Sequence, residues 1–113
     1  MPRSSSAGRA LKGSAPVFAA LGDETRLAIV ARLSSGGPRS ITGLTEGSDV
    51  TRQAVTKHLH ILAGAGLVRC SPRGRERIWE LDPRRLGEAQ RYLAEISKHW
   101  DAALDRLKHF VED

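Results

Sequence analysis

A mainly α-helical chain carrying one small β-hairpin and ending in a long helix is the fold class this sequence predicts, and three observations carry that reading. Apolar residues recur at three-four spacing through most of the chain. The period changes between Leu67 and Leu81, on either side of a Pro72-Arg73-Gly74-Arg75 turn. From Pro83 onward one three-four series runs to the end without another proline. At 113 residues, a folded chain keeps about 6,000 Å² of accessible surface, enough for one core and not for two.

The elements follow in order. Met1 to Ala15 is rich in Ser, Gly and Arg, shows no apolar periodicity and lacks the apolar run of a secretory signal. Residues 1–15 are therefore expected to be a disordered basic tail, and 16–113 one folded domain. The acid-free start is also a property of transit peptides, but its Gly and Pro spacing builds no amphipathic helix. A short helix from Pro16 to Leu21 stops at Gly22. Asp23 then caps a second helix with Leu27, Val30 and Ala31 on one face and Ile29 and Leu33 beside it. The Ser34-Ser35-Gly36-Gly37-Pro38 cluster ends it. A brief helix from about Ser40 to Glu46 buries Ile41 and Leu44, and Gly47-Ser48-Asp49 forms a turn. Thr51 opens a fourth helix with Val55, Leu59 and Leu62 inward, terminated by Gly64 and Gly66. Leu67–Ser71 and Glu76–Leu81 make the hairpin.

Pro83 starts the last helix. Its Leu86, Ala89, Leu93, Ile96, Trp100, Ala103, Leu107 and Phe110 form a heptad seam. From Leu86 to Val111 that seam is about 39 Å long, more apolar edge than so small a body covers. A second copy of the chain is the natural cover, with Leu93, Ile96, Trp100, Leu104 and Leu107 as the dimerisation edge.

Composition removes several function classes. The longest apolar run, Val17 to Leu21, is far short of the roughly twenty residues that cross a bilayer. One cysteine, Cys70, closes no internal disulfide and supplies no thiolate cage, which suits a reducing cytoplasm. On a strand without a partner it is expected to be a small buried hydrophobe rather than a redox switch. Aromatic residues, at 4%, are too few for a surface that stacks single-stranded bases. No Gly-flanked nucleophile, phosphate loop or carboxylate pair occurs, so no catalytic residue is assigned and an enzyme is not expected.

The net charge of +5 is unevenly placed. Residues 1–22 and 50–75 hold no acid, whereas 23–49 and 76–113 are acidic overall. The central block carries Arg52, Lys57, Arg69, Arg73 and Arg75. A positive block within a folded domain points to a polyanion surface, and duplex DNA is the polyanion a short helix, tight turn and second helix suit. A module binding an acidic protein through the same face is the other reading; salt dependence with duplex DNA separates the two.

Within that block the Thr51 side chain can accept the Ala54 N–H, and Arg52, Gln53, Thr56 and Lys57 lie opposite Val55 and Leu59. Arg and Gln match guanine and adenine edges in the major groove, Thr can meet a thymine methyl or a phosphate, and Lys neutralises phosphate. His60, one turn after Thr56, is placed to touch DNA backbone, and His58 to sit between helices as a structural histidine. With Arg73 and Arg75 at the hairpin tip, the arrangement is that of a winged helix-turn-helix. Thr51, Arg52, Gln53, Thr56, Lys57, His60, Arg73 and Arg75 are the candidate DNA contacts.

Leu21-Gly22-Asp23-Glu24-Thr25-Arg26-Leu27, Thr51 through Leu59, and Leu62 through Ala65-Gly66-Leu67-Val68 together resemble the ArsR family of bacterial winged-helix repressors, over about residues 15–113. Asp49-Val50-Thr51, and Trp100 with Leu104-Asp105-Arg106-Leu107, resemble its SdpR-type subgroup, which generally lacks the metal-sensing motif. The resemblance implies a fourth helix in the major groove, a wing on adjacent backbone and terminal helices pairing two protomers. It also implies a cytoplasmic homodimeric repressor on an inverted repeat. Of the family's metal sites, the thiolate set finds no cysteine in residues 39–47. The other set keeps only its second half, His109 with Glu112; Ile96 and Lys98 stand where Asp and His belong, and His99 is about 100° out of phase. No metal or other cofactor is expected; a metal-responsive repressor is the variant this argues against.

Overall fold

The computed structural model describes the backbone of residues 6–112 and the side chains of residues 13–111. In chain order the elements are α1 (Ser6–Leu21), α2 (Glu24–Gly36), β1 (Arg39–Ser40), α3 (Ile41–Thr45), α4 (Arg52–Gly64), β2 (Val68–Arg73), β3 (Glu76–Leu81) and α5 (Pro83–Glu112). Three antiparallel strands order as β1-β3-β2, with Trp79 of β3 facing Arg39 on one side and Cys70 on the other.

The core joins Val17 and Ala20 of α1, Ile29, Val30 and Leu33 of α2, Leu44 of α3, and Val55, Leu59 and Leu62 of α4 to Leu67, Val68, Trp79 and Ala89. The three-four spacing predicted for α4 is its buried face. On α2 the inward face is Ile29, Val30 and Leu33; Ala31 is exposed and Leu27 is 52% exposed, so the face predicted from Leu27 and Ala31 is corrected by one step around the helix.

The start of the chain differs from expectation. A helix was expected from Pro16 with an irregular tail before it, yet α1 begins at Ser6 and carries Pro16 inside. Residues 1–5 of the expected tail lie outside the described residues. Proline withdraws one helical N–H and crowds the preceding turn. Tertiary packing offsets this, because α1 lies along α5 with Ser14, Val17 and Ala20 buried. The approach is close: a Cβ on Gly13 would stand 3.3 Å from the Arg85 guanidinium and the Glu88 carboxylate.

Helix α4 closes with Leu67 N–H donating to Leu62 C=O at 3.0 Å and Gly66 N–H to Ala63 C=O at 3.0 Å. This pair of bonds needs a left-handed residue, and Gly66 supplies it with φ 78°. The hairpin turn narrows to Gly74-Arg75, with positive φ at Gly74 alone (63°), the requirement of a II′ turn. Across the strands Arg69 Nε donates to Glu80 Oε1 at 2.9 Å. Cys70 is exposed, not buried as expected, because β2 is an edge strand and the core ends at Val68.

Asp82 precedes the Pro83 that opens α5, accepting the Arg84 N–H at 3.2 Å and the Arg84 guanidinium at 3.0 and 2.7 Å. The side-chain bond from Arg84, then its backbone N–H, pull the Asp82 carboxyl down to about 2. A lowered carboxyl stabilises the fold above its ordinary value of 3.8 and loses that contribution as pH falls through about 2. Thermal melts of Asp82→Asn should therefore lie below wild type at neutral pH and converge on it near pH 2. A deficit that stays constant across that range would remove the charge from the cap's role.

The 30 residues of α5 span about 45 Å. Its first turns are covered by α1: Ala89 is buried, Leu86 half-buried, and Tyr92 meets Phe18 at a ring separation of 6.4 Å. Farther on the same edge is bare, with Leu93 51%, Trp100 64%, Leu104 56% and Leu107 59% exposed, while Ile96 is half-buried. The protomer's radius of gyration is 18.4 Å, against about 13 Å for a compact chain of this length. Its accessible surface is 8382 Å², against about 6,100 Å² expected from its mass. No helix among the described residues is long and apolar enough to cross a membrane.

Candidate nucleic-acid interface

A five-residue helix such as α3 has no stability of its own. Ser40 Oγ caps it by accepting the Gly43 N–H at 3.1 Å. At its other end the Arg32 guanidinium of α2 donates to Leu44 C=O at 2.7 Å and to Gly43 C=O at 3.0 Å. Helix α4 starts at Thr51, whose Oγ1 accepts the Ala54 N–H at 3.1 Å, as its sequence predicts. With Val55, Leu59 and Leu62 buried, Thr51, Arg52, Gln53, Lys57 and His60 are turned outward, and Thr56 is half-buried.

These outward residues are not equivalent. Gln53 and Lys57 extend into solvent from the first turns. The Thr56 hydroxyl donates back to Arg52 C=O at 2.9 Å, so its donor is already used. The Arg52 guanidinium donates to Thr42 Oγ1 of α3 at 2.9 Å, lying across the helix pair instead of standing free. His60, expected on DNA backbone, sets its ring edge-on to Trp79 at 5.9 Å and 89° and so props α4 against the sheet. On the inner side His58 Nδ1 accepts from the Arg26 guanidinium at 3.3 Å, and Arg26 Nε donates to Ala20 C=O at 2.6 Å. His58 thus ties α4 to the α1–α2 corner, the structural place expected of it. Asp23 shares this corner 3.9 Å from His58; the Arg26 backbone N–H holds its carboxyl below the ordinary range.

On the wing, strand alternation sorts the arginines. Trp79 is buried toward the body, so Arg77, two residues before it, shares the body-facing side. Arg73, the cross-strand partner of Glu76, is not among the residues that line the cleft at the hairpin tip. A cleft of about 290 Å³ lies between α3, the first turn of α4 and the hairpin tip, lined by Ser40, Ile41, Thr42, Arg52, Arg75, Glu76 and Arg77. Of the residues lining this cleft, sequence reasoning singled out Arg52 and Arg75 but not Thr42 or Arg77. Counting back in twos from a core tryptophan is the signal that finds Arg77; nothing local marks Thr42. Among the described residues no three His, Cys, Asp or Glu side chains gather as a metal-holding group.

Residues 21–71 match a helix-turn-helix domain family. The chain is 39% identical to the HTH-type transcriptional regulator Rv2034 of Mycobacterium tuberculosis, over 82% of this chain and 83% of that protein. It superposes on the ArsR-like transcriptional regulator from Rhodococcus sp. RHA1 with TM-score 0.74 and 36% identity, covering 88% of this chain and 93% of that one. This chain belongs to the ArsR family. The fold also matches the homodimeric winged helix-turn-helix DNA-binding domain of Mb0332 from Mycobacterium bovis, a possible ArsR-family transcriptional regulator, at TM-score 0.65 with 20% identity, covering 88% of this chain and 90% of that one. As an ArsR-family member the protein is a transcriptional regulator with a helix-turn-helix DNA-binding domain. In that fold α3 and α4 are the helix-turn-helix and β2–β3 the wing.

Proposed function

We propose that the protein is a cytoplasmic, non-enzymatic homodimeric repressor that blocks transcription by occupying an inverted repeat in a promoter. The observation that carries this reading is the outward face of α4: polar and basic side chains in its first turns, held by a capped start and a fully buried opposite face. Gln53 is the base reader, since it alone of the first-turn side chains combines an amide fork with solvent exposure. Lys57 and Arg75 meet phosphates. The bare edge of α5 supports a two-fold dimer, as does the homodimeric state of the Mycobacterium bovis protein. Two-fold symmetry sets the half-sites about one helical turn, roughly 34 Å, apart.

A footprint on DNA upstream of its own gene supplies the operator for the test. Gln53→Ala should weaken operator binding by about 1–3 kcal/mol and relax preference at one base pair per half-site, leaving random-duplex affinity close to wild type. A Gln53→Ala protein with unchanged preference would take base reading away from α4. A wild type that binds neither duplex would instead favour a protein-binding module.

A further inference from the structure

The cleft between α3, α4 and the wing holds three guanidinium-bearing side chains, Arg52, Arg75 and Arg77, and one carboxylate, Glu76. None of these arginines makes an ion pair with a carboxylate among the described residues. Three arginines elsewhere are paired with carboxylates: Arg69 with Glu80, Arg84 with Asp82 and Arg85 with Glu88. Arg26, Arg32, Arg39, Arg73, Arg91 and Arg106 make no such pair either, so what distinguishes the cleft is that three guanidinium-bearing side chains line one concavity beside a single carboxylate. Arg52 is also pre-positioned, because the 2.9 Å bond to Thr42 Oγ1 fixes part of its guanidinium and limits the rotamer freedom lost on binding. Guanidinium forks match phosphate oxygens in pairs. The cleft volume, about 290 Å³, is just below the roughly 300–1,000 Å³ of sites that engulf a small molecule. Its lining is polar and charged apart from Ile41. A segment of sugar-phosphate backbone laid across it fits better than an enclosed ligand.

We propose that this cleft seats one phosphodiester of the DNA backbone in each half-site, gripped by Arg77 and Arg75 from the wing and by Arg52 from α4, with Thr42 as the positioning residue for Arg52. The inference rests on the DNA-binding dimer proposed above and adds to it which phosphate-binding residues matter. Arg52 becomes a backbone contact instead of a base reader. Arg77, absent from any sequence-based set, becomes a principal wing contact, ahead of Arg73, which does not line the cleft.

The experiment is the salt dependence of full-length protein binding to a random duplex and to the footprinted operator. Arg77→Ala removes two phosphate contacts per dimer and should flatten the log-log salt slope by about 1.8. Between 50 and 200 mM salt the wild type then loses about tenfold more affinity than the variant. Operator-over-random preference stays at the wild-type ratio. Arg77→Lys, which keeps the charge, should restore the slope, and Arg73→Ala should change it by less than half as much. Neutral methylphosphonates placed singly along the operator provide a second readout: one position per half-site weakens wild type by more than it weakens Arg77→Ala, which keeps Arg75 and Arg52 on that phosphate. Melting curves confirm that each variant is folded. If the wild type binds duplex DNA but Arg77→Ala keeps its slope, or Arg73→Ala matches Arg77→Ala, the cleft assignment is overturned and the DNA-binding reading stands. If the wild type binds no duplex, both fall together.

Discussion

Trp100→Ala should move the protein from dimer to monomer in sedimentation, at a cost of about 3–5 kcal/mol for each buried indole lost from the contact. Trp100 is 64% exposed on the single protomer, in line with Leu93, Leu104 and Leu107. It makes little difference to the protomer's own core, so the secondary structure of the variant should survive. What changes is operator affinity, because in the proposed dimer two recognition helices act together only while α5 joins them. A wild type that sediments as a monomer at tens of micromolar would sink the seam and the inverted repeat with it.

The second large effect is expected at Trp79. This buried residue sits at the middle of the sheet, opposite Arg39 on β1 and Cys70 on β2, and carries His60 of α4 on its ring. Trp79→Ala should cost about 3–5 kcal/mol in urea or thermal unfolding, much of a small domain's total. Trp79→Phe should be far milder. The indole Nε1 has no hydrogen-bond partner among the described residues, so the phenyl ring gives up volume but no bond. Equal losses from both variants would mean that the N–H does have an acceptor.

The elements that sequence alone makes legible are those with a local cause. Thr51 caps α4 because its hydroxyl reaches the Ala54 N–H three residues on, and Val55, Leu59 and Leu62 repeat at helical spacing. Gly66 and Gly74 announce their turns. The illegible ones have causes elsewhere in the chain. Strand β1 is two residues long, too short for any period, and exists because β3 offers it a partner. Helix α1 runs through Gly13 and Pro16, poor helix formers, because α5 gives it a surface to lie on. At the interface, exposure of Gln53 and Lys57 follows from the helix period, but Arg52 bending to Thr42 and His60 turning to Trp79 depend on helices and strands meeting in space. The exposure of Cys70 has the same kind of origin, since nothing in its neighbours tells how far the core reaches along the hairpin.

The repeating edge of α5 raises a question of alignment for the proposed dimer. A series that repeats every seven residues can pair with itself again after a slip of one repeat, about 10.5 Å along the axis. The DNA helix turns once in about 34 Å, so such a slip would carry one recognition helix nearly a third of a turn out of phase with its groove. Trp100 is the sole tryptophan on that edge, and its neighbours one repeat away are Leu93 and Leu107. A bulky ring that fits one notch makes the slipped pairing misfit. In the proposed dimer Trp100 would therefore also act as a vernier, converting a choice of packing partner into the spacing at which the operator is measured.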